Sequence, residues 1–404
     1  MRDGWRTVTL GELFAPSAVR LGQHENEPVV LSVSKYDGVL PAEEFFGKRI
    51  ASAKLDDYKV LEVDQWVYST IHIDEGSIAR NSTGTDGVVS PMYTVMRWIS
   101  ADHLPAYFEA LLRSPQMLAR YADSAQGSIN RRRSLPWSTF STLEVAVPPY
   151  NEQQRIVDLI AAVDDGIEAA EAEAGTAQRM LAGIRSLRFG STRAHRVLAA
   201  EKFDMVIGKQ RSAEKVDGSN VIPYLRSANV LLGRIDTHDV LTMHFSERED
   251  DRLALTEGDV LITEGSASET AVGVPAVWHA EIEGPVGIQN ALIRVRARDG
   301  LSTPSFAEHW AFWAYESGTF RDVANGTNIK HVGIERAKAI GVPDMGLAEQ
   351  QAATVPMDAL RDSVQAASNT ADDLRSLRSN LLTTLLTGEH EIPSSYDRFL
   401  EGAA

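Results

Sequence analysis

Glu152-Gln153-Gln154 opens a stretch in which Ile156, Ile160, Val163, Ile167, Ala170, Ala174, Ala177, Leu181, Ile184 and Arg188 follow at alternating steps of four and three. All but the last are apolar. That spacing is a heptad seam, the pattern of a helix that pairs with another along its length. The same steps recur 197 residues further on, through Ala353, Met357, Leu360, Val364, Ala367, Ala371, Leu374, Arg378, Leu381 and Leu385. Glu349-Gln350-Gln351 precedes this second seam at the same offset. Two long, similar helices in one chain therefore form the expected frame. Each seam spans a little over thirty residues, roughly 45–50 Å at 1.5 Å per residue.

What lies before each helix follows one plan. Residues 1–149 read as an α+β globule, with strand-like runs at Val29–Val33, Trp66–Ile71, Val88–Ile99 and Leu143–Val147. Pro105 opens a helix, in the position where a missing N–H costs least. Residues 196–343 repeat the order: Val221–Arg226, Gly258–Glu264, Ile288–Val295, then Pro304 opening a helix. Gly127 lies 22 residues after Pro105, and Gly326 lies 22 after Pro304. The chain is thus expected to be a duplication. The fold class is α+β, with two similar globules joined by two long antiparallel coiled-coil helices in pseudo-two-fold relation. The boundaries are 1–149 for the first head, 150–190 for the first helix, 191–343 for the second head, 344–390 for the second helix and 391–404 for a tail.

Composition narrows the function. The 404 residues are 43% hydrophobic and 24% charged, ordinary for a globular protein, and contain no cysteine. That excludes a disulfide scaffold and any thiolate metal site. No apolar run approaches a membrane span and the N-terminus lacks a signal-peptide pattern, so a cytoplasmic location is expected. The formal charge is −16. Seven acids face four bases in 150–190, and ten face four in 344–404. Nucleic acid, if bound, must meet local basic patches against an opposing overall field.

Here the residues carry a resemblance. Val147-Pro148-Pro149-Tyr150-Asn151-Glu152-Gln153-Gln154-Arg155-Ile156-Val157, ahead of a long heptad helix and repeated in weaker form in the second half, resembles the specificity subunits of Type I restriction–modification systems. The ending Leu385-Leu386-Thr387-Gly388-Glu389-His390-Glu391-Ile392-Pro393 is similar to that family's C-terminus. The resemblance implies two target-recognition domains, each reading one half of a split, asymmetric site in double-stranded DNA. It implies helices that fix the spacing, methyltransferase (modification) subunits as partners, restriction subunits joining them, and no membrane. The second helix start departs from the pattern: it lacks the double proline and places two more residues between proline and Glu349.

No catalytic residue, metal site or cofactor is expected. Pro148-Pro149-Tyr150 imitates the base-holding motif of adenine methyltransferases, but Val147 stands where that motif needs a hydrogen-bonding side chain. Asp322 with Glu335-Arg336-Ala337-Lys338 is read as solvated helix, not as nuclease acids. Trp310 and Trp313, at helical spacing, are read as core. DNA contact is assigned to the loop Gly127, Ser128, Asn130, Arg131, Arg132 and Arg133, and to its counterpart Gly326, Thr327, Asn328, Lys330 and His331. A glycine turn exposes backbone amides to phosphate, arginine can pair bidentately with guanine, and asparagine with adenine. Lys35 with Tyr36, and Arg226 with Asn229, are secondary candidates. The rival reading is a two-headed protein-interaction adaptor on the same frame.

Overall fold

The computed structural model describes residues 4–23, 28–46, 55–125, 133–191, 194–210, 220–266, 268 and 271–397. The chain divides into two compact units, Met1–Ala169 with Ala371–Ala404, and Ala170–Thr370. Each long helix is shared between them. The first runs Tyr150–Phe189 and the second Leu347–Leu386, forty residues each, or about 60 Å. The seams alone underestimate this, because a capping turn without seam residues precedes each of them. Both helices start two residues before their Glu-Gln-Gln tripeptide. The two extra residues of the second half therefore lie outside the helix, where Gly346 N–H donates to Glu349 Oε2 at 3.0 Å.

In the first unit a four-stranded antiparallel sheet has the order Phe14–Ser17, Tyr93–Trp98, Trp66–Ser69, Ile78–Arg80. In the second, the order is Phe203–Ile207, Leu292–Ala297, Val260–Thr263, Pro275–Val277. Each unit also pairs an early strand with the one that leads into its long helix: Arg6–Thr9 with Glu144–Val147, and Arg196–Leu198 with Gly341–Pro343. The duplication is therefore one of topology. The central strands are buried on both faces, and the period of two divides them between two cores. Trp66 and Tyr68 face the core containing the first head helix, Pro105–Leu112, while Val67 joins Leu31, Val33 and Val95 on the other side. Val260 and Ile262 face the second head helix, Pro304–Glu316, and Leu261 faces away. Trp310 and Trp313 are buried in that core, as their spacing predicts.

Two expected strands are broken. Val88–Ile99 splits into Gly87–Val89 and Tyr93–Trp98, with Pro91, which cannot donate to a ladder, in the turn between them. Ile288–Val295 splits into Gly287–Ile288 and Leu292–Ala297, the turn closing through Leu292 N–H to Gln289 O at 2.9 Å.

The long helices are held inside each unit by more than the seam. In the first unit Ile156 and Ile160 share a core with Leu385 and Leu386, while Asp164, one turn on from Ile160, pairs with Arg378 at 2.5 Å. The two halves there run antiparallel. Gly166 lets Leu374 approach closely, since a Cβ would lie 3.2 Å from its Cδ1. Arg155 grips Asp397 with two bonds of 2.5 and 2.8 Å, and Ile392 is buried, so the tail folds back on the first helix. Gly388, at φ +73°, ends the second helix in the left-handed conformation that glycine adopts freely.

The repeated tripeptide has a structural reason. Gln153 is 1% exposed; its Oε1 accepts from Leu104 N–H at 2.9 Å and its Nε2 donates to Pro148 O at 2.9 Å. Gln350, equally buried, accepts from Thr303 N–H at 3.0 Å and donates to Leu301 O and Met345 O, both at 2.9 Å. Leu104 and Thr303 each cap a head helix whose first residue is proline. In the second unit a buried polar chain adds to this. Arg185 Nε donates to His309 Nδ1 at 3.1 Å, so His309 carries its proton on Nε2, which donates to Asp358 at 3.1 Å. Burial, and then the Arg185 charge, push the His309 pKa down to about 4 against the opposing pull of Asp358. Among the described residues no helix is long and apolar enough to cross a membrane.

Two outcomes follow from this packing. Gln153→Ala and Gln350→Ala each strand a buried N–H and at least one carbonyl, and are expected to cost about 1–3 kcal/mol in urea unfolding, whereas exposed Gln351→Ala stays within about 0.5 kcal/mol. His309 is depressed below its unfolded value of 6.5, so its contribution is complete above that pH and is lost as pH falls toward about 4. Unfolding midpoints measured across pH 4–7 should therefore decline toward acid, and His309→Gln should flatten that dependence.

Candidate nucleic-acid interface

The counterpart loop of the second unit is a tight hairpin. Asn325 and His331 bond each other's backbone at 3.0 and 2.8 Å, and Lys330–His331 pairs with Gly265–Ser266. Gly326 sits at φ +136°, and a Cβ there would lie 1.8 Å from Ile329 O, so no other residue fits. The base is fastened three ways: His331 Nδ1 to Glu264 Oε2 at 2.7 Å, Val332 N–H to Glu264 O at 2.8 Å, and an Arg336 guanidinium N–H to His331 O at 2.7 Å. The tip stands in solvent. Among the described residues, the side chains of Thr327, Asn328 and Lys330 have no hydrogen-bond or ion-pair partner. A rigid base with free donors and acceptors at its tip is suited to meeting phosphates or base edges. His331 belongs to the base.

Of the first loop, Gly127, Ser128, Asn130, Arg131 and Arg132 lie outside the described residues. Arg133 lies within them, and its placement corrects the expectation. Its guanidinium donates to Ala122 O at 2.6 Å and to Ala125 O at 3.1 and 3.3 Å. It caps the C-terminal end of the helix Pro115–Ser124, where free carbonyls attract a cation. Arg133 thus anchors one end of the loop and is not available as a reading group.

Lys35 and Tyr36 occupy the tip of a hairpin between Leu31–Ser34 and Gly38–Pro41. Ser34 Oγ accepts from Tyr36 N–H and Asp37 N–H, both at 3.1 Å, and donates to Asp37 Oδ2 at 2.8 Å. The tip is therefore fixed. Tyr36 is 78% exposed, with Lys35 Nζ 5.0 Å from its ring centre. Arg226 and Asn229 are corrected more sharply. Asn229 is only 2% exposed; it accepts from Arg226 N–H at 3.1 Å and donates to Asp236 O and Asp239 O at 2.9 and 3.0 Å. The Arg226 guanidinium is paired with the Asp239 carboxylate. A short polar side chain beside a turn can serve the backbone as readily as a ligand, and here it serves the backbone. Sequence reasoning missed Glu264 and Arg336, which build the second hairpin, because the Glu264–His331 pair joins residues 67 apart.

No family model matches the chain, and no curated protein matches it either. Solved structures do. A chain from a type I R-M system, studied for complex assembly and conformational transition, aligns over 96% of this chain and 98% of its own at 16% identity, with a TM-score of 0.62. The Type-I restriction-modification S subunit of M. genitalium aligns over 94% and 96% at 13% identity, with a TM-score of 0.54. At these identities the likeness is one of fold. The chain has, over nearly its whole length, the fold of a Type I restriction–modification specificity subunit.

Proposed function

We propose that this protein is a sequence-specific DNA-binding specificity subunit that reads a bipartite, asymmetric site and performs no chemistry itself. The observation that carries this reading is the repeated sheet order, which gives two heads of one topology with unlike loops on helices that each start with Glu-Gln-Gln. A frame kept constant while the heads diverge suits a reader of two different half-sequences. The overall charge of −16 confines phosphate contact to local cations such as Lys330 and the Arg131–Arg132 pair. The partners are methyltransferase subunits, joined by restriction subunits, acting in the cytoplasm. The long helices set the distance between half-sites.

The direct test is a gel shift of the pure chain, then of its complex with methyltransferase subunits, over a salt series. Binding should weaken steeply with added salt through counterion release. Binding insensitive to salt, or methyl transfer by the chain alone, contradicts the reading.

Thr327→Ala, Asn328→Ala and Lys330→Ala are expected to leave the unfolding midpoint unchanged. A side chain that reads a base should cost about 1–3 kcal/mol at one position of the site, while one on phosphate weakens all sequences alike. Asn229→Ala should lower stability instead, because it strands buried backbone groups. Replacing residues 1–149 with another head of the same plan should change one half-sequence and spare the other, as read by methylome sequencing of a host carrying the complex. A change in both halves contradicts modular reading.

A further inference from the structure

The two units share one plan but differ in how the space beside the head helix is filled. The long helices superpose in sequence at an offset of 197, and the head helices at the offset between Pro105 and Pro304. In the second unit the space between the head helix and the long helices is filled. Arg185 stacks on Phe312 at 4.5 Å and bonds His309, which bonds Asp358, while Ser305 donates to Asp358 at 2.7 Å. The equivalent positions of the first unit are Leu382, Arg113, Ala110, Ala161 and Ala106. Three alanines stand where a histidine, an aspartate and a serine stand in the other half. What remains is a cleft of about 680 Å³ lined by these residues.

The cleft has three properties of a binding site. Its floor is apolar, from Ile156, Ile160 and Leu382. Its rim carries Arg113, Arg375 and Arg378; Arg378 pairs with Asp164 and Arg375 with Asp372, while Arg80 holds Glu109 at 2.5 Å. Among the described residues Arg113 forms no ion pair, its guanidinium donating instead to the Lys35 carbonyl, so it is the rim cation left to meet an anion. Tyr107 lines the cleft, is fully buried, and its hydroxyl has no hydrogen-bond partner among the described residues. The equivalent residue in the second unit is Phe306, so packing at that position needs no hydroxyl. A buried hydroxyl without a partner is unfavourable, as is an unfilled apolar hollow.

We propose that this cleft binds a small amphipathic anion, with its carboxylate, phosphate or sulfonate toward the arginine rim and its apolar body on the Ile156–Leu382 floor. The Tyr107 hydroxyl gains its missing partner from a polar atom of the ligand. The volume lies within the roughly 300–1,000 Å³ of small-molecule sites. The lining takes Ile156 to Asp164 of the first long helix and Arg375 to Leu386 of the second, about 12 and 17 Å of helix. This inference does not depend on the DNA reading.

The test is fluorescence titration of the full chain with 8-anilinonaphthalene-1-sulfonate, followed by displacement with dodecanoate or adenosine monophosphate, which separates an aliphatic from an aromatic body. One saturable site per chain is expected. Ala110→His with Arg113→Phe, which restores the filling of the second unit, should weaken the probe about tenfold or more. Tyr107→Phe should weaken it about 3- to 10-fold through the lost hydrogen bond. Both variants should keep their circular dichroism, and neither should lower the unfolding midpoint. Absence of saturable binding, or binding unchanged in Tyr107→Phe and in the filled variant, overturns the proposal.

Discussion

The architecture depends on a primary amide buried at the start of each long helix. A head helix that begins with proline leaves the N–H of its capping residue without an intrahelical role, and the turns beside it leave the carbonyls of Pro148, Leu301 and Met345 facing inward. Glutamine meets both needs, since its amide accepts through oxygen and donates through nitrogen. Gln153 joins Leu104 N–H to Pro148 O, and Gln350 joins Thr303 N–H to Leu301 O and Met345 O. Glutamate could accept but would set its charge against the carbonyl oxygens, and leucine could do neither. One side chain thus fastens the head helix, the closing strand and the long helix together in each unit. Everything presented by the head is positioned relative to that joint.

Beyond the joint the units are free to diverge, and they have. The second head helix buries Trp310 and a charged chain through His309. The first buries Tyr107 and leaves a cleft. The loops diverge further, because an exposed hairpin tip such as 326–329 contributes little to stability. What the second hairpin keeps is its base: a glycine that no other residue can replace, and an ionisable pair, His331 with Glu264. Rigid bases with variable tips are the economy expected of a recognition surface.

How much of this was legible in the sequence follows from the physics of each part. The long helices were plain, because a heptad repeat over thirty residues has few competing explanations. The inner sheet strands were located to within a few residues, with an error at 90–92, where Pro91 interrupts an otherwise continuous apolar run, but the outer strands Phe14–Ser17, Ile78–Arg80, Phe203–Ile207 and Pro275–Val277 were missed, being too short to show a period of two. Loop chemistry was the least legible. Arg133 and Asn229 look like ligand-binding residues in sequence, yet one caps a helix and the other ties a turn. Polar side chains near turns serve backbone and ligand through the same atoms, and only burial separates the two uses. The cleft was invisible for the opposite reason: Ala106, Ala110 and Ala161 carry no signal until their bulkier equivalents are set beside them.

The central claim is that the long helices act as a ruler between two DNA-reading heads. Insertion of seven residues into each helix, near Ala174 and Ala371, preserves the facing side of the seam and lengthens each helix by roughly 10 Å. That is near three base pairs at about 3.4 Å each. Binding should then be measured on duplexes whose gap between half-sites varies one pair at a time. The account predicts unchanged half-sequences and an optimum at a longer gap. An optimum that stays where the unmodified protein has it would contradict the account.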